Sequence, residues 1–217
     1  LCMIGTGYVG LVSGVCFSDL GNTVYCVDKD QSKINKLING HIPIYEPGLE
    51  EILKRNLKQK RLIFTTDLKN AVINSDIIFI CVGTPTKKNS NSANLKYVFN
   101  VANQLNKIIK KYKIVVTKST VPVTTGDKIQ NVLKNLYRRK LVDIVSNPEF
   151  LREGRAIFDF YNPDRIVIGG ETKKSIEMLK NFYSPLIKNK VNVPDEIKVN
   201  KSDIPIIETN LPSAQMI

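Results

Sequence analysis

Histidine is almost missing from this 217-residue sequence, and its four cysteines form no close pair. His41 is the only histidine, so a metal site or a histidine-based catalytic triad has almost nothing to be built from. The cysteines contain no C-x-x-C motif and stand in apolar segments, which predicts buried thiols. They are Cys2, Cys16, Cys26 and Cys81.

Long hydrophobic runs are also missing. No apolar stretch reaches the length of a membrane span, and no segment resembles a signal peptide. We therefore expect a cytoplasmic protein that does not associate with membranes. The sequence does not begin with Met, and Leu1 already continues into an apolar pattern, so we expect that residues precede it.

Acidic residues are scarce compared with basic ones. The 32 Lys and Arg residues against 20 Asp and Glu residues give a net charge of +12, which raises nucleic acid as a partner. However, the densest basic groups alternate with apolar positions, as on solvated helix faces, and no aromatic residues interleave with them. We expect no nucleic-acid binding, and a basic surface would also suit a nucleotide substrate.

The most informative motif is a glycine-rich turn near the start of the chain. Residues 5–10 read GTGYVG and directly follow the apolar segment 1–4. In a strand–turn–helix unit, Gly5 allows the tight turn, Gly7 lets the backbone approach a pyrophosphate, and Gly10 lets the helix pack close to the strand. An ordinary glycine turn without a ligand is the alternative interpretation of this motif alone.

The residues after the turn favour a dinucleotide site. Asp28 ends the apolar segment 24–27, at the spacing expected of a carboxylate that binds a ribose. Lys33 follows one turn into the next predicted helix, close to Asp28, although a plain surface lysine is an equal alternative there. We predict that the cofactor is NAD.

The rest of the chain alternates strands and helices from end to end, which predicts an α/β fold with a doubly wound, Rossmann-like parallel sheet. Three polar loops, 83–86, 118–122 and 146–154, follow separate strands and should open on the same carboxyl edge as the glycine turn. We expect an NAD-binding domain over residues 1–195, then a last strand and the start of a helix over 196–217.

Several motifs in chain order resemble the amino-terminal half of the nucleotide-sugar 6-dehydrogenases, in the UDP-glucose/GDP-mannose dehydrogenase family. Two of them, PIYEPGLEE and NPEFLREG, favour the UDP-glucose branch of that family. The matching stretches are GTGYVGLVSG (5–14), CVDKD (26–30), PIYEPGLEE (43–51), RLIFTTD (61–67), CVGTPT (81–86), KSTVPV (118–123), NPEFLREG (147–154) and NPDRIVIGG (162–170).

The resemblance implies the oxidation of UDP-glucose to UDP-glucuronate by two successive hydride transfers to NAD, in a homo-oligomer. The family's central helix and carboxyl-terminal domain are expected to be absent from this chain. The family's nucleophile is a cysteine in a glycine-rich motif, and none of the four cysteines here has that context. We therefore expect this chain by itself to bind NAD without turnover.

The resemblance also implies the site residues. Thr120, Glu149 and Glu153 would be catalytic, with Thr120 and a glutamate holding a water and assisting proton transfer. From spacing alone, the glutamates could instead lie at a helix entry, and Thr120 could satisfy its own loop. NAD would contact Gly5, Gly7, Tyr8, Val9, Gly10, Asp28, Lys33, Val82, Gly83, Thr84, Pro85, Ser119, Thr120 and Glu153. The sugar nucleotide would contact Glu149, Phe150, Leu151, Arg152 and Glu153.

Two other functions stay open at this point. A UDP-N-acetyl-sugar 6-dehydrogenase would share most of these motifs. A non-catalytic NAD- or nucleotide-binding module would explain the missing nucleophile.

Overall fold

The computed structural model describes residues 1–86, 92–119, 121–188, 191, 193, 197, 199 and 204–216. In these ranges, eight strands form one sheet in the order β3-β2-β1-β4-β5-β6-β7-β8. The strands are β1 (Cys2–Ile4), β2 (Val24–Val27), β3 (Leu62–Thr65), β4 (Ile77–Ile80), β5 (Lys113–Thr117), β6 (Val142–Ser146), β7 (Ile166–Gly170) and β8 (Ile206–Thr209). The helices are α1 (Tyr8–Asp19), α2 (Gln31–Ile38), α3 (Leu49–Lys58), α4 (Leu68–Ile73), α5 (Lys96–Ile108), α6 (Thr125–Val132), α7 (Lys134–Arg138), α8 (Ala156–Tyr161), α9 (Lys173–Ile187) and α10 (Leu211–Ala214).

The first six strands are mutually parallel, which confirms the predicted Rossmann-like arrangement for most of the sheet. The sheet is mostly but not wholly parallel, because β7 pairs with β6 in the antiparallel direction. The connection between them, residues 147–165, contains a single helix, the six-residue α8. The chain does not return to the amino edge along this connection, so β7 starts from the carboxyl edge.

Helices cover both faces of the sheet, and alternate residues of β1 show how the two faces are separated. Met3 lies in one hydrophobic cluster, with residues of α1, α3, α8 and α9. Cys2 and Ile4 lie in the other cluster, with residues of α4, α5 and α6. Phe17 of α1 is central to the first cluster, since its ring centroid lies 4.7 Å from that of Phe182 and 5.1 Å from that of Phe79.

The order of the strands changes direction between β1 and β4, and this point positions the site. The chain leaves β1 toward β2 on one side, and β4 returns to the other side of β1. In open α/β sheets, ligands bind at the carboxyl ends of the strands at such a point. The glycine turn after β1 and the loop after β4 therefore flank the expected cleft.

The closing segment continues the same sheet. Strand β8 pairs in parallel with β7, and α10 lies so close to β7 that a Cβ on Gly169 would be 2.3 Å from the Cβ of Ala214. Part of the strand expected here lies outside the described residues, and the domain boundary at residue 195 stays a prediction. Across the described ranges, every helix is too short or too polar to cross a membrane.

Candidate functional site

The glycine turn joins the end of β1 to the first residue of α1. Gly5 has a φ of +101°, and a Cβ there would lie 2.8 Å from the carbonyl oxygen of Cys81. A Cβ on Gly10 would lie 1.9 Å from the carbonyl oxygen of Gly5. Gly7 differs, because no heavy atom of the described residues lies within 4 Å of the Cβ position. The first and third glycines are thus required by packing, and the second leaves open space.

The amino end of α1 points at that open space. Gly7 is the N-cap and offers no side-chain cap to the first backbone N–H groups of the helix, which have no partner within a helix. The first turn of α1 contains no acidic residue. Free N–H groups and the positive end of the helix dipole together favour an anion such as a pyrophosphate. The turn therefore fits the pyrophosphate of a dinucleotide.

Asp28 lies beside the turn, at the carboxyl end of β2. Its Oδ2 accepts hydrogen bonds from the backbone N–H of Thr6 at 3.0 Å and from the Thr6 hydroxyl at 2.7 Å, and its Oδ1 accepts one from the N–H of Asp30 at 3.2 Å. Partial burial alone would raise the pKa of Asp28, but these hydrogen bonds and the charge of Lys33 lower it to about 2. Asp28 is thus a fixed carboxylate at the place expected of a ribose ligand.

Lys33 is placed as predicted, with its Nζ 3.2 Å from Oδ2 of Asp28. Thr6 was missed by the sequence analysis, although it stands inside the motif and holds the carboxylate through two bonds. The signal that could have found it is the hydroxyl residue between two glycines of the turn.

A cavity of about 640 Å³ opens between these groups and α5. Its lining brings together seven of the predicted cofactor residues: Gly5, Gly7, Asp28, Lys33, Val82, Gly83 and Pro85. The remaining walls come from residues that the sequence analysis did not select, among them Thr66, Leu68, Tyr97, Asn100 and Gln104. Tyr97, Asn100 and Gln104 were missed because the sequence pattern of α5 indicates only an apolar stripe that faces the core.

Val9, Thr84 and Ser119 are predicted cofactor residues that do not line this cavity. Val9 stands in the first turn of α1. Ser119 follows β5 and donates a hydrogen bond from its hydroxyl to the carbonyl oxygen of Val82 at 3.3 Å, which ties the two edge loops together. Thr84 lies in the loop after β4. Thr120 lies outside the described residues.

The loop after β6 carries the predicted substrate residues. The side-chain Oε2 of Glu149 accepts a hydrogen bond from the N–H of Leu151 at 2.8 Å, and the Arg165 guanidinium lies 4.8 Å from the ring centroid of Phe150. Arg152 forms an ion pair with Asp159 of α8. A second cavity, of about 400 Å³, is lined by Glu149, Phe150, Leu151 and Arg152.

Lys118, Asn147 and Tyr183 also line this second cavity. Lys118 is buried, its Nζ lies 3.3 Å from Oδ1 of Asn147, and burial lowers the pKa of Lys118 while the neighbouring Glu149 and Cys81 act in the opposite direction. The Tyr183 hydroxyl donates to the same Asn147 oxygen at 2.6 Å. A fixed polar group thus lies beside the predicted catalytic glutamate.

The glycine turn and the loop after β6 touch each other through Tyr8. This predicted cofactor residue does not line the first cavity; its hydroxyl oxygen lies 3.1 Å from the carbonyl oxygen of Arg152. The negative charge of Glu153 contributes to raising the pKa of Tyr8, after burial and the neighbouring Glu46. Glu153 therefore lies near Tyr8, at the amino end of α1.

The four cysteines are free and buried, as predicted. Burial raises the pKa of each thiol, to about 12 for Cys2 and Cys81. Within the described residues, no group of three or more His, Cys, Asp or Glu side chains could hold a metal ion.

Comparison with known proteins identifies the family that this geometry belongs to. Residues 1–187 match the NAD-binding domain of the UDP-glucose/GDP-mannose dehydrogenase family. The chain belongs to this family. The matched part is its NAD-binding domain, so the cofactor is NAD.

Individual relatives agree with this assignment. The chain is 50% identical to the UDP-glucose 6-dehydrogenase of Rhizobium meliloti over 87% of its length, and 45% identical to UDP-glucose 6-dehydrogenase TuaD of Bacillus subtilis over 100% of it. The structure of a ternary complex of GDP-mannose dehydrogenase from Pseudomonas aeruginosa matches 99% of the chain with a TM-score of 0.87 and 35% identity. This chain covers 44% of each of the two sequences and 47% of the solved chain, so it spans somewhat less than half of their length.

Proposed function

We propose that this chain is the NAD-binding half of an enzyme that oxidises UDP-glucose to UDP-glucuronate. One arrangement carries the proposal: a loop with two glutamates, Glu149 and Glu153, lies at the same sheet edge as the dinucleotide turn and contacts it through Tyr8. The relatives named UDP-glucose 6-dehydrogenase support the choice of the sugar nucleotide.

The chemistry requires two oxidations at one carbon atom. Conversion of the 6-hydroxymethyl group to a carboxylate consumes two NAD⁺ and one water, and it gives two NADH and three protons. NAD, when bound, supplies the hydride acceptor. The chain's own task is to orient the dinucleotide through the glycine turn and Asp28, and to accept protons at a carboxylate that faces the reacting carbon.

We assign the individual roles from the positions of these residues in the structure and from the family motifs. Glu149 lines the cavity of the loop after β6 and would hold the water together with Thr120, whereas Glu153 would reach the NAD side. Phe150, Leu151 and Arg152 would bind the sugar nucleotide. Val9, Thr84 and Ser119 would complete the contacts with NAD.

The complete gene product tests this proposal. Supplied with UDP-glucose and NAD, it should form two NADH for each sugar nucleotide, and the product should carry a carboxylate. One NADH with accumulation of the aldehyde would contradict it. The family's cysteine nucleophile is expected outside this chain, so the 217 residues alone should bind NAD and form no NADH.

The fold itself does not choose the sugar, because the GDP-mannose enzyme matches it with a TM-score of 0.87. The same assay should therefore include GDP-mannose and UDP-N-acetyl sugars as competing substrates. Oxidation of an N-acetyl sugar alone would move the protein to that branch. A complete gene product without a further cysteine would instead favour a non-catalytic nucleotide-binding module.

We also infer a cytoplasmic homo-oligomer that does not bind nucleic acid. The net charge of +12 is the observation that argues for a nucleic-acid partner, so it defines the test. Retention of the complete protein on DNA should be lost at physiological ionic strength, because scattered charges bind only non-specifically. Light scattering of the eluted protein should give a mass of at least two chains.

A further inference from the structure

Glu46 is a buried carboxylate that the proposed function does not use. Its residue is 6% exposed, and it lies between α2 and α3 in a segment with no other predicted role. Unpaired burial of a carboxylate costs several kcal/mol, so such a group is retained only where its oxygens are satisfied. The partners that satisfy Glu46 come from two distant parts of the chain.

The first partner is the helix that follows the glycine turn. The hydroxyl of Tyr8, the first residue of α1, donates a hydrogen bond to Oε1 of Glu46. The same hydroxyl lies 3.1 Å from the carbonyl oxygen of Arg152. Tyr8 and Glu46 thus form one unit, anchored directly beside the dinucleotide turn.

The second set of partners is the loop that carries the proposed catalytic glutamates. Oε1 of Glu46 also accepts from the backbone N–H of Gly154, and Oε2 accepts from the N–H of Ala156 at 3.0 Å. These contacts join residues more than 100 positions apart in the sequence. Ala156 begins α8, so Glu46 satisfies an N–H group that the helix cannot satisfy itself.

The contacts lie on both sides of Glu153. The carbonyl oxygen of Arg152, one residue before it, lies 3.1 Å from the Tyr8 hydroxyl, and Gly154, one residue after it, is held through its N–H by Glu46. The backbone of Glu153 is therefore fixed relative to the glycine turn, while the Glu153 residue stays exposed at the sheet edge.

We propose that Glu46 is a positioning residue that sets Glu153 against the dinucleotide turn. Glu46 is buried and contacts backbone and Tyr8, so it acts through Glu153 and does not touch the reacting atoms. The inference rests on the proposed function, in which Glu153 contacts NAD and assists proton transfer. It predicts that the effect of Glu46 on catalysis disappears when Glu153 is already neutralised.

The test measures kcat of the complete gene product with UDP-glucose and NAD in four proteins: wild type, Glu46→Gln, Glu153→Gln and the double variant. Glu46→Gln keeps the size of the side chain but sets an NH₂ group against N–H donors. We expect kcat to fall at least tenfold in the wild-type background and less than twofold in the Glu153→Gln background. The KM for NAD should change less than threefold.

Asp19→Asn is the matched control. Asp19 is also a buried carboxylate that accepts from a tyrosine and connects α1 with α8, but at the far end of α1. It should lower stability and leave kcat within twofold. A kcat loss for Glu46→Gln no larger than that of Asp19→Asn, or equal in both Glu153 backgrounds, would overturn the inference and leave the proposed function standing.

A second variant and a second measurement cover the cases in which Glu46→Gln does not fold or the wild type is inactive. If Glu46→Gln does not fold, Tyr8→Phe replaces it in the same cycle, with an expected kcat loss of at least threefold. If the wild type does not oxidise UDP-glucose, the proposed function fails, and hydrogen exchange decides the placement alone. Peptides containing the amides of Gly154 and Ala156 should then exchange at least tenfold faster in Glu46→Gln than in Asp19→Asn, and equal exchange would overturn the inference.

Discussion

The two ends of α1 are fixed by the same kind of chemistry but differ in what they leave open. At the carboxyl end, Asp19 accepts hydrogen bonds from Arg55 at 2.9 Å, Asn56 at 2.8 Å and Tyr161 at 2.8 Å, and its side chain is only 2% exposed. All these partners are side chains of packed helices. These bonds join α1 to α3 and α8, and we call this carboxyl end the closed end of α1.

At the amino end, which we call the open end of α1, the carboxylate of Asp28 is also held by several donors. A cavity of about 640 Å³ nevertheless opens beside it. A Cβ on Gly7 would meet nothing there, although most of α1 is buried. A buried carboxylate by itself therefore indicates packing. A held carboxylate next to open, polar backbone indicates a ligand site.

The largest effects are expected from substitutions of two glycines of the turn, Gly10, which packing requires, and Gly7, which faces open space. Gly10→Ala would set a methyl group 1.9 Å from the Gly5 oxygen, which should destabilise the protein by more than about 3 kcal/mol and abolish NAD binding. Gly7→Ala is its matched control, because the space there is empty. It should leave the melting temperature within 2 °C or so while weakening NAD binding at least tenfold, since the methyl would face the pyrophosphate. Equal melting temperatures for both variants would contradict this account.

The next largest effect is expected when the Asp19 carboxylate at the closed end of α1 is neutralised. Asp19→Asn removes a charge that is almost fully buried and pairs with the Arg55 guanidinium, so the free energy of unfolding should fall by about 3 kcal/mol. Urea denaturation measures this loss. NAD affinity should stay within twofold of wild type, and a larger change would mean that the two ends of α1 are coupled.

A smaller effect concerns the pH dependence of the open end. The pKa of Asp28 is about 2 in the folded protein against an ordinary value of 3.8, so its contribution to stability is complete above about pH 4 and is lost as the pH falls toward 2. The difference in unfolding free energy between wild type and Asp28→Asn should accordingly shrink between pH 4 and pH 2. A difference that does not vary with pH would contradict the assigned hydrogen bonds.

The smallest effect removes one hydroxyl from the closed end. Tyr161→Phe keeps the buried ring and deletes the bond to Oδ2 of Asp19, so stability should fall by about 1.5 kcal/mol. NADH formation by the complete gene product should be unchanged. A kcat loss above threefold would place α8 closer to the chemistry than its contacts indicate.

The sequence predicted local features well. The turn, Asp28 and the alternation of strands and helices depend on spacing over fewer than 30 residues, and the structure brings them together as expected. It could not predict the bonds from Glu46 to Gly154 and Ala156, because nothing local to the 43–51 segment indicates a partner more than 100 residues away. The reversed β7 was missed because the direction of this strand appears only in its pairing with β6, which no local sequence pattern indicates.

The same difference between local spacing and long-range contacts applies to the individual site residues. Asp28 is placed by its own strand end, so spacing alone located it. Glu149 and Glu153 gained their interpretation from the family motif, and their position relative to the turn depends on long-range contacts through Tyr8.

Calorimetric titration of NAD into the complete gene product tests the central claim most directly, which is that the open end of α1 holds the dinucleotide through Asp28. Asp28→Ala should weaken NAD binding by about 10- to 100-fold, the loss expected for hydrogen bonds to a charged group, and should relax the discrimination against NADP. Asp19→Asn should bind NAD like the wild type. Equal NAD affinity in wild type and Asp28→Ala would contradict the account.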